Sequence, residues 1–245
     1  MNYIKKIISK FIGHFVKTKN KIIKAELESI SKILSAQDIN SNVITVLEIG
    51  PGERDLYTDR YIIKDVNIKL TLFEANPKSI SKSISKQLKA RIVQGVAPFD
   101  LSRFNDKEFD VVICSHVIEH LPKEEGYILM YELDRITRFT SLISTPNGFS
   151  WQTPLNASME LDWYNAHLSA WTPKELKECG YIRQFGEVGP KILFGPGAAA
   201  RFKFNYFGRF LLGIFYPLIQ KFPNQTYAFS AVKKHSPTSN DYLRA

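Results

Sequence analysis

From residue 43 onward, short runs of β-forming apolar residues alternate with segments of helical periodicity. The predicted strands are Val43 to Ile49, Leu70 to Phe73, Ile92 to Val93, Phe109 to Cys114 and Ser141 to Ser144. The predicted helices between them are Pro77 to Leu88 and Lys123 to Arg138. Strands that alternate with helices predict a parallel sheet covered by helices on both faces. Sheets of this kind bind ligands at the carboxyl ends of their strands.

A glycine turn follows the first predicted strand, in Val46-Leu-Glu-Ile-Gly-Pro-Gly-Glu53. Glycine allows a sharp turn and a close approach of a ligand to the backbone. Glu74 closes the second strand, and a carboxylate in that position can bridge the two hydroxyls of a ribose. A dinucleotide site needs a third glycine, but Asp55 stands there, and Glu48 and Glu53 are poor neighbours for a pyrophosphate. The pattern therefore favours a cationic nucleoside ligand.

Together these motifs resemble those of class I S-adenosylmethionine-dependent methyltransferases, in the variant Glu-Ile-Gly-Pro-Gly. The stretches Phe109 to Leu121, Leu142 to Gly148 and Ala170 to Tyr181 are similar to the later motifs of that family. The resemblance covers about residues 42–190 and is to small-molecule O-methyltransferases such as those of the ubiquinone pathway. It implies an α/β fold: a Rossmann-like, doubly wound, seven-stranded sheet, mostly parallel, with an antiparallel last strand at Thr226 to Val232.

The resemblance also implies S-adenosylmethionine as the cofactor. The residues that it assigns to cofactor binding follow the strand ends: Glu48, Gly50, Pro51, Gly52, Glu74, Ala75, Gly95, Val96, Ala97, Ser115 and His116. Val96 departs from the family pattern, in which an acid at this place usually meets the adenine amino group. We therefore expect adenine recognition to rely on backbone groups and apolar walls.

The predicted catalytic half contains three histidines, His116, His120 and His167. Three interpretations of their role remain open. They shape the pocket, or His120 and His167 act as general bases, for which histidine is suited near neutral pH. In the third reading they bind a metal together with Glu119. That layout resembles the Glu-x-x-Glu-His metal motif of small-RNA 3′-end 2′-O-methyltransferases and ubiquinone-pathway O-methyltransferases. Because His116 replaces the first glutamate, we expect no metal.

The charge of +9 is concentrated at the two ends of the chain. Residues 1–40 are predicted to form an amphipathic helical extension, with eight lysines and three acids. The methyltransferase domain is predicted over residues 41–235, with an apolar and basic insert at about 195–222 and a tail at 236–245. Basic, apolar segments of this kind favour contact with an anionic membrane surface.

These features lead us to expect a small-molecule or lipid-linked acceptor, such as the hydroxyl of a glycan precursor or quinone-like molecule. RNA is an alternative substrate that the charge supports and the apolar surroundings disfavour, and a non-catalytic cofactor-binding module is an alternative of another class. Cys114 and Cys179 are too few for a disulfide framework and fit a reducing compartment. We therefore expect a cytoplasmic protein, peripheral on the inner face of the membrane.

Overall fold

A computed structural model describes residues 23–25, 27–28, 43–52, 66–76, 79, 90–148, 164, 166–190 and 226–236. These residues form seven strands: β1 (Val43–Ile49), β2 (Asn67–Glu74), β3 (Arg91–Gln94), β4 (Phe109–Ser115), β5 (Thr137–Pro146), β6 (Ile182–Pro190) and β7 (Thr226–Lys234). They also form the α-helices α1 (Lys123–Ile136) and α2 (Pro173–Glu178), and short 3-10 helices at Phe99–Arg103 and Ile118–His120. Within this part of the chain, no helix is long and apolar enough to cross a membrane.

The seven strands form one sheet in the order β3-β2-β1-β4-β5-β7-β6. Strands β1 to β5 pair in parallel, whereas β7 pairs antiparallel with both β5 and β6. Strand order therefore reverses between β1 and β4, which is where open α/β sheets leave a crevice for a ligand. The predicted α/β, Rossmann-like, doubly wound sheet with an antiparallel last strand is confirmed.

Strand and helix boundaries differ from the sequence predictions mainly at their ends. The first strand agrees at both ends, while β2 begins at Asn67 rather than Leu70. Helix α1 ends at Ile136, two residues before the predicted Arg138, because β5 already begins at Thr137. The run of threonine and phenylalanine that follows Ile136 favours a strand, since β-branched and aromatic residues pack well on a pleated sheet.

Buried apolar residues lie on both faces of the sheet, as expected for alternating side chains along each strand. One cluster joins strand residues to α1 and α2, and includes Leu47, Ile49, Leu133, Trp171 and Leu176. The second joins the opposite strand faces to the helical residues near Ile23, and includes Leu27, Val46, Ile113 and Val232. The central strands are consequently buried on both sides, and their carboxyl ends are held in fixed positions relative to one another.

Several predicted segments lie wholly or mainly outside the described residues. They are the extension at 1–40, the helix from Pro77 to Leu88, the insert at about 195–222 and the tail at 236–245. Of the extension, residues Ile23 and Leu27 are described; both are helical and buried against the sheet. Of the predicted helix, Ser79 is described and is helical.

Candidate functional site

The carboxyl ends of β1, β2, β3 and β4 form one edge of the sheet, called the carboxyl edge below. Ile49 pairs with Phe73 of β2 on one side and with Cys114 of β4 on the other. Glu74 pairs in turn with Gln94 of β3. The residues that directly follow these pairs, Gly50, Ala75, Gly95 and Ser115, must therefore lie side by side. All four are among the predicted cofactor residues, although sequence separates the first from the last by 65 positions.

The glycine turn is held by hydrogen bonds to β2. Gly50 N–H donates to the Phe73 carbonyl oxygen at 2.8 Å, and Gly52 N–H donates to Glu74 Oε2 at 3.0 Å. Both glycines have left-handed backbones, with φ of 65° and 62°. Among the residues that the structure describes, none has an atom within 4 Å of a Cβ placed on Gly52, so these residues leave open space beside the Glu74 carboxylate.

The Glu74 carboxylate is fixed by two backbone amides. Its Oε1 accepts from Asn76 N–H at 2.9 Å while its Oε2 accepts from Gly52 N–H. The backbone carbonyl oxygen of Glu74 accepts from Gly95 N–H at 3.2 Å, and this hydrogen bond joins β2 to the turn after β3. Each carboxylate oxygen keeps a second lone pair, so the group can still accept hydrogen bonds from a pair of ligand hydroxyls.

The turn after β3 is closed by a residue that sequence reasoning missed. Asp100 Oδ2 accepts from Val96 N–H at 2.8 Å, and Asp100 Oδ1 accepts from Arg103 Nη2 at 2.8 Å. The Val96 side chain is 52% exposed at the rim of the edge. Gly95 permits this turn because a Cβ there would lie 2.7 Å from the Phe73 ring. An acid four residues after Val96 is the sequence signal that indicates such a turn.

Three other predicted cofactor residues, Glu48, Pro51 and Ala97, are buried near the same turns. Glu48 lies one pair before the end of β1 and, by the alternation of a strand, on the same face as Val46. That face packs against the helical residues near Ile23. Glu48 is therefore on the face of β1 that packs against these helical residues.

His116 begins the turn after β4 with a left-handed backbone, φ 57°. Its N–H donates to the Ser144 carbonyl oxygen at 2.8 Å, which ties the turn to β5. Its ring Nδ1 lies 3.1 Å from Glu119 Oε1. Because left-handed backbone is costly for a residue with a side chain, it persists only where surrounding contacts impose it, commonly at functional sites.

Glu119 is a buried carboxylate with a polar partner on each oxygen. Oε1 accepts from His116, and Oε2 accepts from the Thr145 hydroxyl at 3.1 Å. Burial alone would raise the pKa of Glu119, but the hydrogen bond from His116 and the charges of His116 and His120 outweigh it and hold that pKa below its usual value. Glu119 is therefore an anion beside several imidazoles.

His120 and His167, the predicted catalytic pair, come together although they are far apart in the chain. Their ring centroids are 5.0 Å apart in an edge-to-face arrangement. His120 Nδ1 lies 2.9 Å from the Ala166 carbonyl oxygen. With Glu119, the two histidines offer ligand-capable atoms that all lie within 4.8 Å of one another. Thr145 and Ala166, which hold this group in place, were not predicted from the sequence.

The segment that carries His167 is fastened to the turn after β4 by several hydrogen bonds. Leu168 N–H and Ser169 N–H both donate to the Glu119 carbonyl oxygen, at 2.8 and 3.1 Å. The Trp171 indole N–H donates to the Ile118 carbonyl oxygen at 3.3 Å. Lys123 at the start of α1 donates to the Ala170 carbonyl oxygen and lies over the Trp171 ring. These hydrogen bonds hold the backbone that carries Glu119, His120 and His167 in place.

Among solved structures, the fold is similar to a SAM-dependent methyltransferase from Archaeoglobus fulgidus, at 17% identity and a TM-score of 0.51, over 88% of this chain and 94% of that one. The methyltransferase domain of bacterial CtHen1 is 16% identical over 85% of this chain and 97% of that one, with a TM-score of 0.43. The DhpI–SAH complex is 9% identical over 91% and 97%, with a TM-score of 0.47. The first of these likenesses, together with the strand order, shows that the chain has the fold of SAM-dependent methyltransferases.

No curated protein matches the chain. The family model described as methionine biosynthesis protein MetW matches residues 31–163. The matched stretch contains β1 to β5, the glycine turn, Glu74 and the turn after β4 that carries Glu119 and His120. It covers more than half of the 245 residues, and the chain belongs to the MetW family.

Proposed function

We propose that the chain binds S-adenosylmethionine at the carboxyl edge and transfers its methyl group to a hydroxyl of a small or lipid-linked acceptor by direct displacement. The observation that carries this proposal is the contact between Gly52 and Glu74. Gly52, which has no described neighbour within 4 Å of its Cβ position, donates its N–H to a buried, amide-held carboxylate beside the point where strand order reverses. This combination suits a ribose that lies against the turn with its two hydroxyls on Glu74.

Methyl displacement at a sulfonium needs alignment of the nucleophile, methyl carbon and sulfur more than it needs covalent help from the protein. The carboxyl edge is rigid enough to supply that alignment, since its turns are hydrogen-bonded to neighbouring strands.

Calorimetry with S-adenosylhomocysteine and its 2′-deoxy and 3′-deoxy forms tests the role of Glu74. The native chain should lose affinity for each deoxy form by about tenfold to hundredfold, since a hydrogen bond to a charged group contributes roughly 1.5–3 kcal/mol. Glu74→Ala should bind all three ligands weakly and with equal affinity. That loss of discrimination separates a direct ribose contact from a general distortion of the turn.

The matched control is Glu178→Ala, which removes an exposed acid at the end of α2. It should preserve both the affinity and the discrimination between ribose forms. If the native chain binds the deoxy forms as tightly as the parent ligand, or if Glu74→Ala still discriminates among them, the assignment of the ribose to Glu74 is wrong.

The acceptor is proposed from the basic and apolar character of residues 1–40 and 195–222. Methyl-labelled S-adenosylmethionine should label a lipid or glycan fraction of a cell extract rather than its RNA. Label in RNA would favour the alternative substrate, to which the charge of +9 is also suited. Cofactor binding with no labelled product in any fraction would favour a non-catalytic module.

We also propose that residues 1–20 and 201–221, which lie outside the described residues, bind an anionic membrane surface. Each basic group near such a surface contributes about 1 kcal/mol, so several lysines and arginines are enough for reversible binding. The chain should cosediment with phosphatidylglycerol vesicles at low salt and be released at high salt, because salt screens exposed charges. Deletion of residues 1–20 should weaken the binding, and unchanged cosedimentation would contradict the proposal.

A further inference from the structure

We propose that Glu119, His120 and His167 form a binding site for one divalent transition-type metal ion such as Zn²⁺. Membership of the MetW family does not by itself imply such a site, and the sequence, with His116 in place of a carboxylate, led us to expect none. The geometry points to the metal through three independent features: the convergence of the side chains, the hydrogen bonds that orient them, and the balance of charge.

The three side chains converge from two separate segments. Glu119 and His120 come from the 3-10 helix after β4, while His167 comes from the segment that leads into α2. Their ligand-capable atoms already lie within 4.8 Å of one another. Zinc bonds of about 2.0–2.2 Å place tetrahedral ligands about 3.4 Å apart, so small side-chain rotations complete the site. The backbone need not move, since the Glu119 carbonyl oxygen already binds the N–H groups of Leu168 and Ser169.

Hydrogen bonds orient two of these side chains in the manner typical of metal ligands. A carbonyl oxygen can only accept, so the 2.9 Å contact with Ala166 means that His120 Nδ1 carries the proton. The lone pair of this imidazole is therefore on Nε2. Metal-bound histidines commonly donate their other N–H to a backbone carbonyl, and metal-bound carboxylates are commonly hydrogen-bonded as well. Glu119 meets the second condition through Thr145 and His116.

His116 has a distinct role in this arrangement. Its Nδ1 lies against Glu119 Oε1 at 3.1 Å, and it is not among the three converging groups. It acts as a positioning residue that holds the carboxylate through a hydrogen bond. A glutamate at position 116 would instead place a second anion against Glu119. A metal site can therefore form here without the first glutamate of the Glu-x-x-Glu-His motif.

Charge and ligand chemistry indicate the class of ion. Glu119 is 2% exposed, and a buried anion requires a compensating charge. Two imidazoles and one carboxylate suit Zn²⁺, Fe²⁺, Co²⁺ or Mn²⁺, whereas Mg²⁺ and Ca²⁺ prefer all-oxygen sites. Three protein ligands leave a coordination position open, and the two imidazoles are only partly buried, so an exogenous oxygen can reach the ion.

The position of the site indicates what the open coordination position would take, a point that rests on the proposed function. The site follows β4, next to the glycine turn, since Val117 lies against Gly50. An acceptor hydroxyl bound to the ion would have a lowered pKa. Its proton passes to water, its oxygen bonds to the methyl carbon, and the carbon–sulfur bond breaks with its electron pair on sulfur. His120 and His167 would then act as ligands rather than as general bases.

The test is direct titration of the full chain, stripped with a chelator, with Co²⁺ and Zn²⁺. Visible absorption should show one equivalent of Co²⁺ in a low-symmetry site with nitrogen ligands, and Zn²⁺ should displace it. Glu119→Gln and His167→Asn should each weaken binding at least tenfold. His116→Asn should weaken it less than either one. An excess of Mg²⁺ should not displace Co²⁺. The matched control is His235→Asn, which removes a histidine hydrogen-bonded to Ser141 and should leave binding unchanged.

Absence of saturable one-to-one binding, or equal binding by the native chain and the His167→Asn variant, would overturn the metal site. Displacement by Mg²⁺ would overturn the class of ion. Because Glu119 is buried, the result for Glu119→Gln counts only if its far-ultraviolet spectrum equals that of the native chain, which shows that the variant is folded. His167 is partly exposed, so His167→Asn gives an independent variant. Calorimetry with S-adenosylhomocysteine on the same samples separates this proposal from the proposed function, because metal binding without cofactor binding would overturn only the latter.

Discussion

A Cβ atom on Gly50 would lie 2.3 Å from Cγ2 of Val117, the residue that follows His116 in the turn after β4. Gly50 and Val117 therefore determine how closely the turn after β1 approaches the turn after β4. Gly52, two residues further on, has nearly the same backbone conformation, but none of the described residues has an atom within 4 Å of its Cβ position. The two glycines therefore differ in their surroundings, and we expect Gly50 to matter for packing and Gly52 for access of a ligand.

Substitution of each glycine by alanine should separate these roles. Both variants incur a left-handed backbone cost of about 1–2 kcal/mol, and Gly50→Ala adds a packing clash of about 1–3 kcal/mol. Urea unfolding should therefore show a larger loss of stability for Gly50→Ala than for Gly52→Ala. Calorimetry should show that folded Gly52→Ala has lost affinity for S-adenosylhomocysteine. Equal stability of the two variants would contradict the contact with Val117.

An acid placed at position 96, in the turn after β3, should strengthen the binding of adenine. Val96 is half exposed at the rim, and its N–H is already held by Asp100. Val96→Asp should add an acceptor for the adenine amino group without opening the turn. We expect roughly tenfold tighter binding of S-adenosylhomocysteine, because a charged hydrogen bond contributes about 1.5–3 kcal/mol. The inosine analogue, which lacks the amino group, should gain nothing, and an equal gain for both ligands would contradict the placement of adenine.

The contacts of Lys123 with the segment after His167 should stabilise the fold. Lys123 Nζ lies 3.5 Å from the centroid of the Trp171 ring and 2.8 Å from Glu175 Oε1. Lys123→Met should reduce the free energy of unfolding by about 1–3 kcal/mol, since a partly desolvated cation–π contact and a charged hydrogen bond are lost. Lys177→Met, which changes an exposed lysine on α2, should have little effect. Equal effects of the two variants would show that the Trp171 contact does not stabilise the fold.

The buried His235 should make the folded chain less stable in mild acid. Burial lowers the pKa of His235 to about 4 from an ordinary value of 6.5; Asp134 opposes this effect, and Lys107 and Lys233 add to it. The unfolded chain therefore takes up this proton at a higher pH than the folded chain. The contribution to stability is full above about pH 6.5 and is lost as pH falls toward 4.

Urea unfolding of the native chain and of His235→Asn at several pH values measures this effect. From pH 7.5 to pH 5, the native chain should lose about 1–2 kcal/mol more than the variant, which lacks the titrating group. All other histidines are present in both proteins, so their contributions cancel in the comparison. A difference between the two proteins that does not change with pH would mean that His235 is not buried in its neutral form.

Sequence patterns were sufficient for the central strands and for the glycine turn. Strand β1 was predicted at both ends, because a run of β-branched residues that ends in glycine has few alternative structures. The end of α1 was missed by two residues and the start of β5 by four, since no glycine or proline separates the two elements. Local composition therefore identified which elements exist better than it identified where they end.

By itself, the sequence determined the order of the first five strands, the helix between β4 and β5, the glycine turn and the acid at the end of β2. Each of these depends on residues close together in the chain. The tertiary structure decided which distant groups meet. It brought His167 beside His120, the Thr145 hydroxyl onto Glu119, and the Ala166 carbonyl oxygen onto the His120 ring. These contacts depend on strand register and on the hydrogen bonds that join the segment after residue 166 to the turn after β4, and such long-range pairing leaves no periodic signal in the sequence.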